Sequence, residues 1–308
     1  MVGDPQERLS VEVPVELGGV RADRVLATLS GLPRSQVQLL IDEGYATVGD
    51  RPLSRRDLLE AGTLVHLDVP TVDETMVAEP MALDIVYDDE HLAVVDKPAG
   101  LVVHPGAGNA SGTLVNGLLH RWPQMRGIGQ PGRWGIVHRL DRDTSGVIAV
   151  AKSHDGYLGL KGLVDDRALI RRYVALVHGQ LDMPTGTIDA PIGRDSRYPT
   201  RMRVQVDGRH AVTHYQVLEE FGDMTLLEVM LETGRTHQIR VHLSSIGAPV
   251  VGDRVYGHAG PSTIDPGRVW LHARSLEFEH PMRSLRVVAV AQIPEDLERS
   301  LDAARSDA

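Results

Sequence analysis

The segment Gly135-Ile-Val-His-Arg-Leu-Asp-Arg-Asp-Thr-Ser-Gly146 gathers two arginines, two aspartates, a threonine and a serine between two apolar runs. Gly135 to His138 and Val147 to Ala151 read as short strands, and a turn rich in Asp, Ser, Thr and Gly joins them. Side chains alternate between faces in an extended chain, so Arg139 and Asp141 are expected on one face, and His138 and Leu140 on the other. A carboxylate and a guanidinium then stand side by side at the mouth of a sheet. A surface hairpin with an exposed, weak ion pair fits the same residues. The chemical alternative is a carboxylate held ready as nucleophile or general base. Asp143 reads as a turn-forming residue. His237 and His242 lack the His-Glu-x-x-His spacing and a nearby acidic ligand, so no metal is expected.

These groups need elements to hold them, and 308 residues with 42% hydrophobic content suffice for a large core or two domains. No run approaches the ~18 apolar residues of a membrane helix. Met1 to Ser10 has no signal-peptide pattern, so a cytoplasmic protein with no membrane partner is expected. The absence of cysteine excludes disulfides, thiolate metal sites and cysteine nucleophiles. A net charge of −10 argues at face value against a nucleic-acid partner, but its distribution answers that objection. Residues 73–90 hold seven acids and no Lys or Arg, whereas residues 121–142 hold five arginines against Asp141 alone. Residues 194–209 hold five more arginines against two acids.

Along the chain, residues 1–17 read as a flexible acidic arm. Arg21 to Ser30 has helical spacing and is broken by Gly31 and Pro33. Ser35 is the expected N-cap of a second helix that Gly44 ends. Ala46 to Pro52 reads as strand–turn–strand, and Thr63 to Val69 as a strand with Val65 and Leu67 on one side. Residues 18–70 thus form a small unit, residues 71–80 a linker, residues 81–294 the main domain, and residues 295–308 a polar carboxy-terminal tail, read as a polar helix with a frayed end. In the main domain a hairpin is expected over Ile85 to Val95, and helices over Thr113 to His120 and Lys152 to Val164. Strands are expected over Arg171 to Val177 and Met224 to Thr233. A helix carrying Ile239, Leu243 and Ile246 on one face should end at Gly247, and two further strands flank Glu279-His-Pro281. A helix start after a strand can bind an anion through free N–H groups, and Arg235 sits at that start.

His138-Arg139-Leu140-Asp141-x-x-Thr144-Ser145-Gly146 resembles the signature of the RNA pseudouridine synthases that act on large-subunit ribosomal RNA. Asp96-Lys-Pro-Ala-Gly-Leu-Val-Val-His-Pro105, Gly234-Arg-Thr-His-Gln-Ile-Arg-Val-His242 and Gly252-Asp-x-x-Tyr-Gly257 are similar to further stretches of that family. Arg21-Ala-Asp-Arg-Val-Leu26 and Arg34-Ser-Gln-Val-Gln-Leu-Leu-Ile-Asp-Glu-Gly44 resemble the S4 RNA-binding domain, which places the chain nearest the D-type members. The resemblance covers about residues 18–290. It implies an α+β fold, with an S4-like domain followed by a catalytic domain built on a mixed, largely antiparallel sheet flanked by helices.

It further implies Asp141 as the catalytic carboxylate, Arg240 as its partner, and Tyr173, in the context Arg171-Arg172-Tyr173, against the target base. Arg139 would fill the space left by an everted base, and Arg235 and His237 would position the substrate. Arg34, Arg51, Arg194, Arg201 and Arg203 are the candidate RNA contacts. Isomerising uridine breaks C1′–N1, turns the uracil and joins C5 to C1′, with no cofactor and no metal. The partner would be 23S-type ribosomal RNA or the assembling large subunit, met by a monomer. Whether Asp141 acts as nucleophile or base is open at this level. Arg240 should be removable without unfolding the domain. Two other classes remain: a non-enzymatic RNA-binding or ribosome-assembly factor, and a glycosidase using Asp141 and Asp143. Two residues apart on a turn, those aspartates are poorly placed for the ~5–9 Å opposed geometry of the latter.

Overall fold

The computed structural model describes residues 6–70, 76–106, 109–198, 200–257 and 264–306. An amino-terminal unit comes first, built from β1 (Gln6–Glu12), β2 (Val20–Arg21), α1 (Ala22–Ser30), α2 (Arg34–Asp42), β3 (Ala46–Val48), β4 (Arg51–Pro52), β5 (Leu58–Leu59) and β6 (Leu64–Pro70). Its four-stranded sheet runs β1-β6-β3-β4, and Val25, Leu26, Val37, Leu40, Ile41, Val65 and Leu67 close a core of its own. Full burial of each such aliphatic side chain contributes about 1.5–3 kcal/mol.

Two expectations fail here. The segment 1–17 is not a loose arm throughout, because β1 pairs antiparallel with β6 over its whole length, Gln6 opposite Pro70 and Glu12 opposite Leu64. Its polar residues hid a strand whose partner lies 58 positions or so away in sequence, a pairing that local periodicity does not report. Residues 1–5 lie outside the described residues, as do 71–75 of the expected linker. Helix α2 begins at Arg34, with Pro33 in the N-cap position that Ser35 was expected to fill.

The main domain follows with β7 (Asp84–Asp88), β8 (Leu92–Lys97), α3 (Leu114–Arg121), β9 (Ser145–Ala151), α4 (His154–Asp165), β10 (Ile170–His178), β11 (Thr185–Asp189), β12 (Ile192–Arg194) and β13 (Met202–Val204). It continues with β14 (Val212–Phe221), β15 (Met224–Leu231), α5 (Gln238–Ser245), β16 (Leu271–Glu279), β17 (Arg286–Val290) and α6 (Glu295–Ser306). A nine-stranded sheet runs β11-β14-β15-β10-β16-β9-β8-β7, with β17 added on β16. Its named strand pairs are antiparallel except β16 with β9, so the domain is α+β on a mixed sheet. Every residue of β9 is buried, as expected of a central strand covered on both faces. β12 and β13 form a separate two-stranded hairpin.

The polar tail expected over 295–308 is also corrected. Helix α6 buries Leu297, Leu301 and Ala304 in the main core. Trp270 anchors it, its indole N–H lying 2.8 Å from Ser300 Oγ and 3.1 Å from the Leu297 carbonyl. Leu39 of α2 sits in a cluster with Tyr157 and Leu160 of α4, so the amino-terminal unit packs on the main domain. Among the described residues no helix is long and apolar enough to cross a membrane.

Candidate active site

The chain enters the anchor segment by a turn and not by the expected strand over 135–138. Ile136 makes only an isolated bridge to Val150. Gly135 has φ +73°, outside the strand region of the backbone, and a Cβ there would stand 2.4 Å from the Ala151 carbonyl oxygen. The alternation of faces nonetheless holds: His138 and Leu140 are buried, Arg139 is exposed and Asp141 is half-buried. His138 Nε2 accepts the Ala149 N–H at 3.0 Å and ties the segment to β9.

Two cations hold the segment from behind. Lys97 is fully buried at the end of β8, and its ammonium donates to the carbonyls of Pro98 (2.8 Å), Leu101 (3.0 Å) and Arg142 (3.1 Å). Burial pulls its pKa down to about 7, against the charges of Asp141 and Asp143. Three carbonyl acceptors match the three donors of the protonated form. Arg268 donates to the Asp143 carbonyl (3.1 Å) and to Ser145 Oγ (3.2 Å), and is itself held by Asp296 at the start of α6. Gly146 then passes so close to β16 that a Cβ would lie 2.2 Å from the Ala273 carbonyl oxygen.

Arg240, on the buried face of α5, reaches Asp141 Oδ2 through Nη1 at 3.2 Å. Its Nε and Nη2 grip Asp253 in a bidentate pair at 2.7 and 2.9 Å. Burial alone would raise the Asp253 carboxyl; Arg240, with the N–H groups of Tyr256 and Val255, holds it below the ordinary range. Burial likewise works against the Arg240 charge, but Asp253 first and Asp141 second raise its pKa. The Tyr256 ring covers the guanidinium, 5.0 Å from its centroid. Arg240 is therefore an immobilised cation in contact with Asp141. Its removal, expected not to unfold the domain, would also strand the buried Asp253 and so cost stability.

Asp141, Arg139, Tyr173, Arg235, His237 and Arg240 line one cavity of about 520 Å³. That lies within the range of small-molecule sites. Tyr173 stands on β10, which β16 separates from β9, the strand that follows the Asp141 segment. Burial raises the Tyr173 phenol, Arg171 opposes this and the Asp141 charge adds to it. Arg139 has no hydrogen bond or ion pair among the described residues and is free to move into the cavity.

The outlying arginines are not brought to this cavity. Arg34 donates to the buried Asp23 at 2.7 Å, and Arg51 pairs with Asp57 at 3.1 Å. Arg194, Arg201 and Arg203 lie on or beside the β12–β13 hairpin, Arg201 over the Tyr198 ring at 5.1 Å and Arg203 on Gln205 at 2.8 Å. Ile246, expected on the buried face of α5, is 44% exposed. The roles of Lys97, Asp253, Tyr256 and Arg268 escaped sequence reasoning. Lys97, Asp253 and Tyr256 lie in stretches that match the family, but nothing local says which partner each one meets.

The model of the RNA pseudouridylate synthase family matches residues 91–245. A ribosomal large subunit pseudouridine synthase D of Pseudomonas aeruginosa is 43% identical, over 97% of this chain and 96% of its own. An uncharacterised RNA pseudouridine synthase of Bacillus subtilis is 42% identical, over 97% and 99%. The solved structure of human RNA pseudouridylate synthase domain containing 4 superposes with a TM-score of 0.58 at 26% identity, covering 72% of this chain and 93% of that one. The chain belongs to the RNA pseudouridylate synthase family, isomerases acting on RNA.

Proposed function

We propose that this enzyme converts uridine to pseudouridine in large-subunit ribosomal RNA, with Asp141 as its catalytic carboxylate. The substrate reading rests on relatives named as ribosomal large subunit synthases. The observation that carries the site is Asp141 itself: one oxygen rests on a fixed arginine and the side chain lines a cavity shared with Tyr173.

The chemistry follows from that setting. The target nucleotide is everted into the cavity, which costs a few kcal/mol of unstacking. Arg139 takes the space it leaves. Tyr173 stacks on the uracil, and Asp141, aimed by Arg240, stands at C1′. The C1′–N1 bond breaks, the uracil turns without leaving, C5 bonds to C1′, and the proton lost from C5 is balanced by one gained at N1. Tyr173 is the candidate for that C5 proton. Arg235 and His237 position the nucleotide, and Arg194, Arg201 and Arg203 contact flanking phosphates.

The amino-terminal unit is an S4-like RNA-binding domain, supported by its two helices, hairpin and closing strand. Arg34 and Arg51, already paired within it, are at most weak RNA contacts. The enzyme works as a monomer in the cytoplasm on ribosomal RNA or the assembling large subunit. The test is pseudouridine mapping on transcribed large-subunit RNA: Asp141→Ala should abolish product while RNA binding persists. Undiminished product from that variant would refute the assignment.

A further inference from the structure

His237 departs from ordinary backbone geometry. At φ +56° it is one of two non-glycine residues with positive φ among the described residues, and it sits at the N-cap position of α5. A residue other than glycine is held there only when its surroundings fix it, and such strain gathers at functional sites. Its ring lines both the main cavity and an adjoining one of about 330 Å³ that also touches Arg139 and Asp141.

The ring's hydrogen can be assigned from its neighbours. The Met202 N–H, which can only donate, gives its hydrogen to the Tyr256 hydroxyl oxygen at 2.8 Å. The phenolic hydrogen is then available for His237 Nδ1, also 2.8 Å away. The opposite tautomer would leave that hydroxyl hydrogen with no acceptor among the described residues. Burial keeps the imidazole neutral, against the pull of Asp141, and Arg240 reinforces burial. A neutral ring accepting at Nδ1 carries its hydrogen on Nε2, and Nε2 has no partner among the described residues.

We infer that Tyr256 is a positioning residue: its hydroxyl fixes His237 as the neutral Nε2–H tautomer, and that N–H donates to a carbonyl oxygen of the everted uracil. The acceptor follows from charge. Phosphates call for charged donors, whereas a neutral N–H suits an oxygen that gains charge only during reaction. When C1′–N1 breaks, the electron pair stays with the uracil and spreads to its carbonyl oxygens. A donor already in place stabilises that charge without reorganising, as a neutral histidine does for the carbonyl substrate of triosephosphate isomerase. An imidazolium here would compete with Arg240 for Asp141.

The uracil contact rests on the proposed function, but the tautomer does not, and the test separates them. Long-range proton–nitrogen spectra of the full chain labelled at histidine, without RNA, should show His237 neutral with hydrogen on Nε2. In Tyr256→Phe, which keeps the ring over Arg240, that preference should be lost. Its turnover should fall about tenfold to a hundredfold, with KM within about twofold. Added to His237→Ala, the Tyr256→Phe change should have no further effect, since Tyr256 acts through His237. A doubly protonated or Nδ1–H ring in the wild-type protein overturns the inference, as does an undiminished effect of Tyr256→Phe in the His237→Ala background. A wild-type chain that makes no pseudouridine overturns the function on which the uracil contact rests, and leaves the tautomer reading standing.

Discussion

Arg21-Ala22-Asp23 and Arg139-Leu140-Asp141 carry the same charges at the same spacing, one in each unit of the molecule. In the first the pair closes on itself. Arg21 holds both Asp23 oxygens at 3.1 Å, Arg34 and Gln38 each add a contact at 2.7 Å, and none of the Asp23 side chain is exposed. Burial would raise that carboxyl, but Gln38, Arg34 and Arg21 together lower it to about 2. In the second the neighbours ignore each other. Asp141 takes one contact from Arg240, 99 residues on, keeps 17% of its side chain exposed, and leaves Arg139 uncommitted. A saturated carboxylate is a rivet between β2, α1 and α2. An under-committed one, aimed by a cation that a third carboxylate immobilises, can still bind something else.

The largest expected effect separates the two triplets. Asp141→Asn should cut pseudouridine formation by more than about a thousandfold, with urea stability within about 0.5 kcal/mol of wild type. Asp23→Asn should reverse the pattern, costing the amino-terminal unit about 3–5 kcal/mol with turnover on bound RNA little changed. If both variants lose activity without losing stability, the contrast is wrong.

Asp253→Asn sharpens it next. Arg240 would lose its fixed end, so stability should drop by about 3 kcal/mol and turnover should fall more than KM rises. Equal loss in both would mean that Arg240 aims nothing.

The pH response follows from three buried histidines of the main domain. Burial lowers His104 to about 4, His138 to about 3 and His272 to about 4. Below the ordinary value near 6.5 the unfolded chain binds protons that the folded chain refuses. Stability should therefore fall as pH drops from about 6.5 to 4, each group contributing a slope of about 1.4 kcal/mol per pH unit. Chemical denaturation of the full chain at pH 7, 6 and 5 measures it, and a flat profile would contradict their burial. Smallest is Arg34→Ala: a loss of about 1 kcal/mol in the amino-terminal unit and RNA affinity within about twofold. A larger affinity change would return Arg34 to the RNA contacts.

The facing of Arg139 and Asp141 was legible because alternation is a local property, and it held even where the expected strand gave way to a turn. The helices α1, α3, α4 and α5 were legible from spacing and stop residues. Strand β1 was not, since its polar residues are ordered only by β6 across most of the unit. Helix α6 was legible as a polar helix, but its docking was not: Leu297, Leu301 and Ala304 have the right spacing, yet Glu295, Asp296, Glu298 and Asp302 gave the stretch the look of a solvated tail. Asp253 was visible as a letter and invisible as a role, because only folding brings it against Arg240.

The site's seat on β9, β16 and β10, with strands hydrogen-bonded on either side, has a consequence for substrate choice. A floor in the middle of so wide a sheet resists bending, and amide exchange should be slowest there. The enzyme cannot reshape itself around a paired base, so distortion falls on the nucleic acid. Uridines in hairpin loops or bulges, already loosely held, would be reached before those locked in helices.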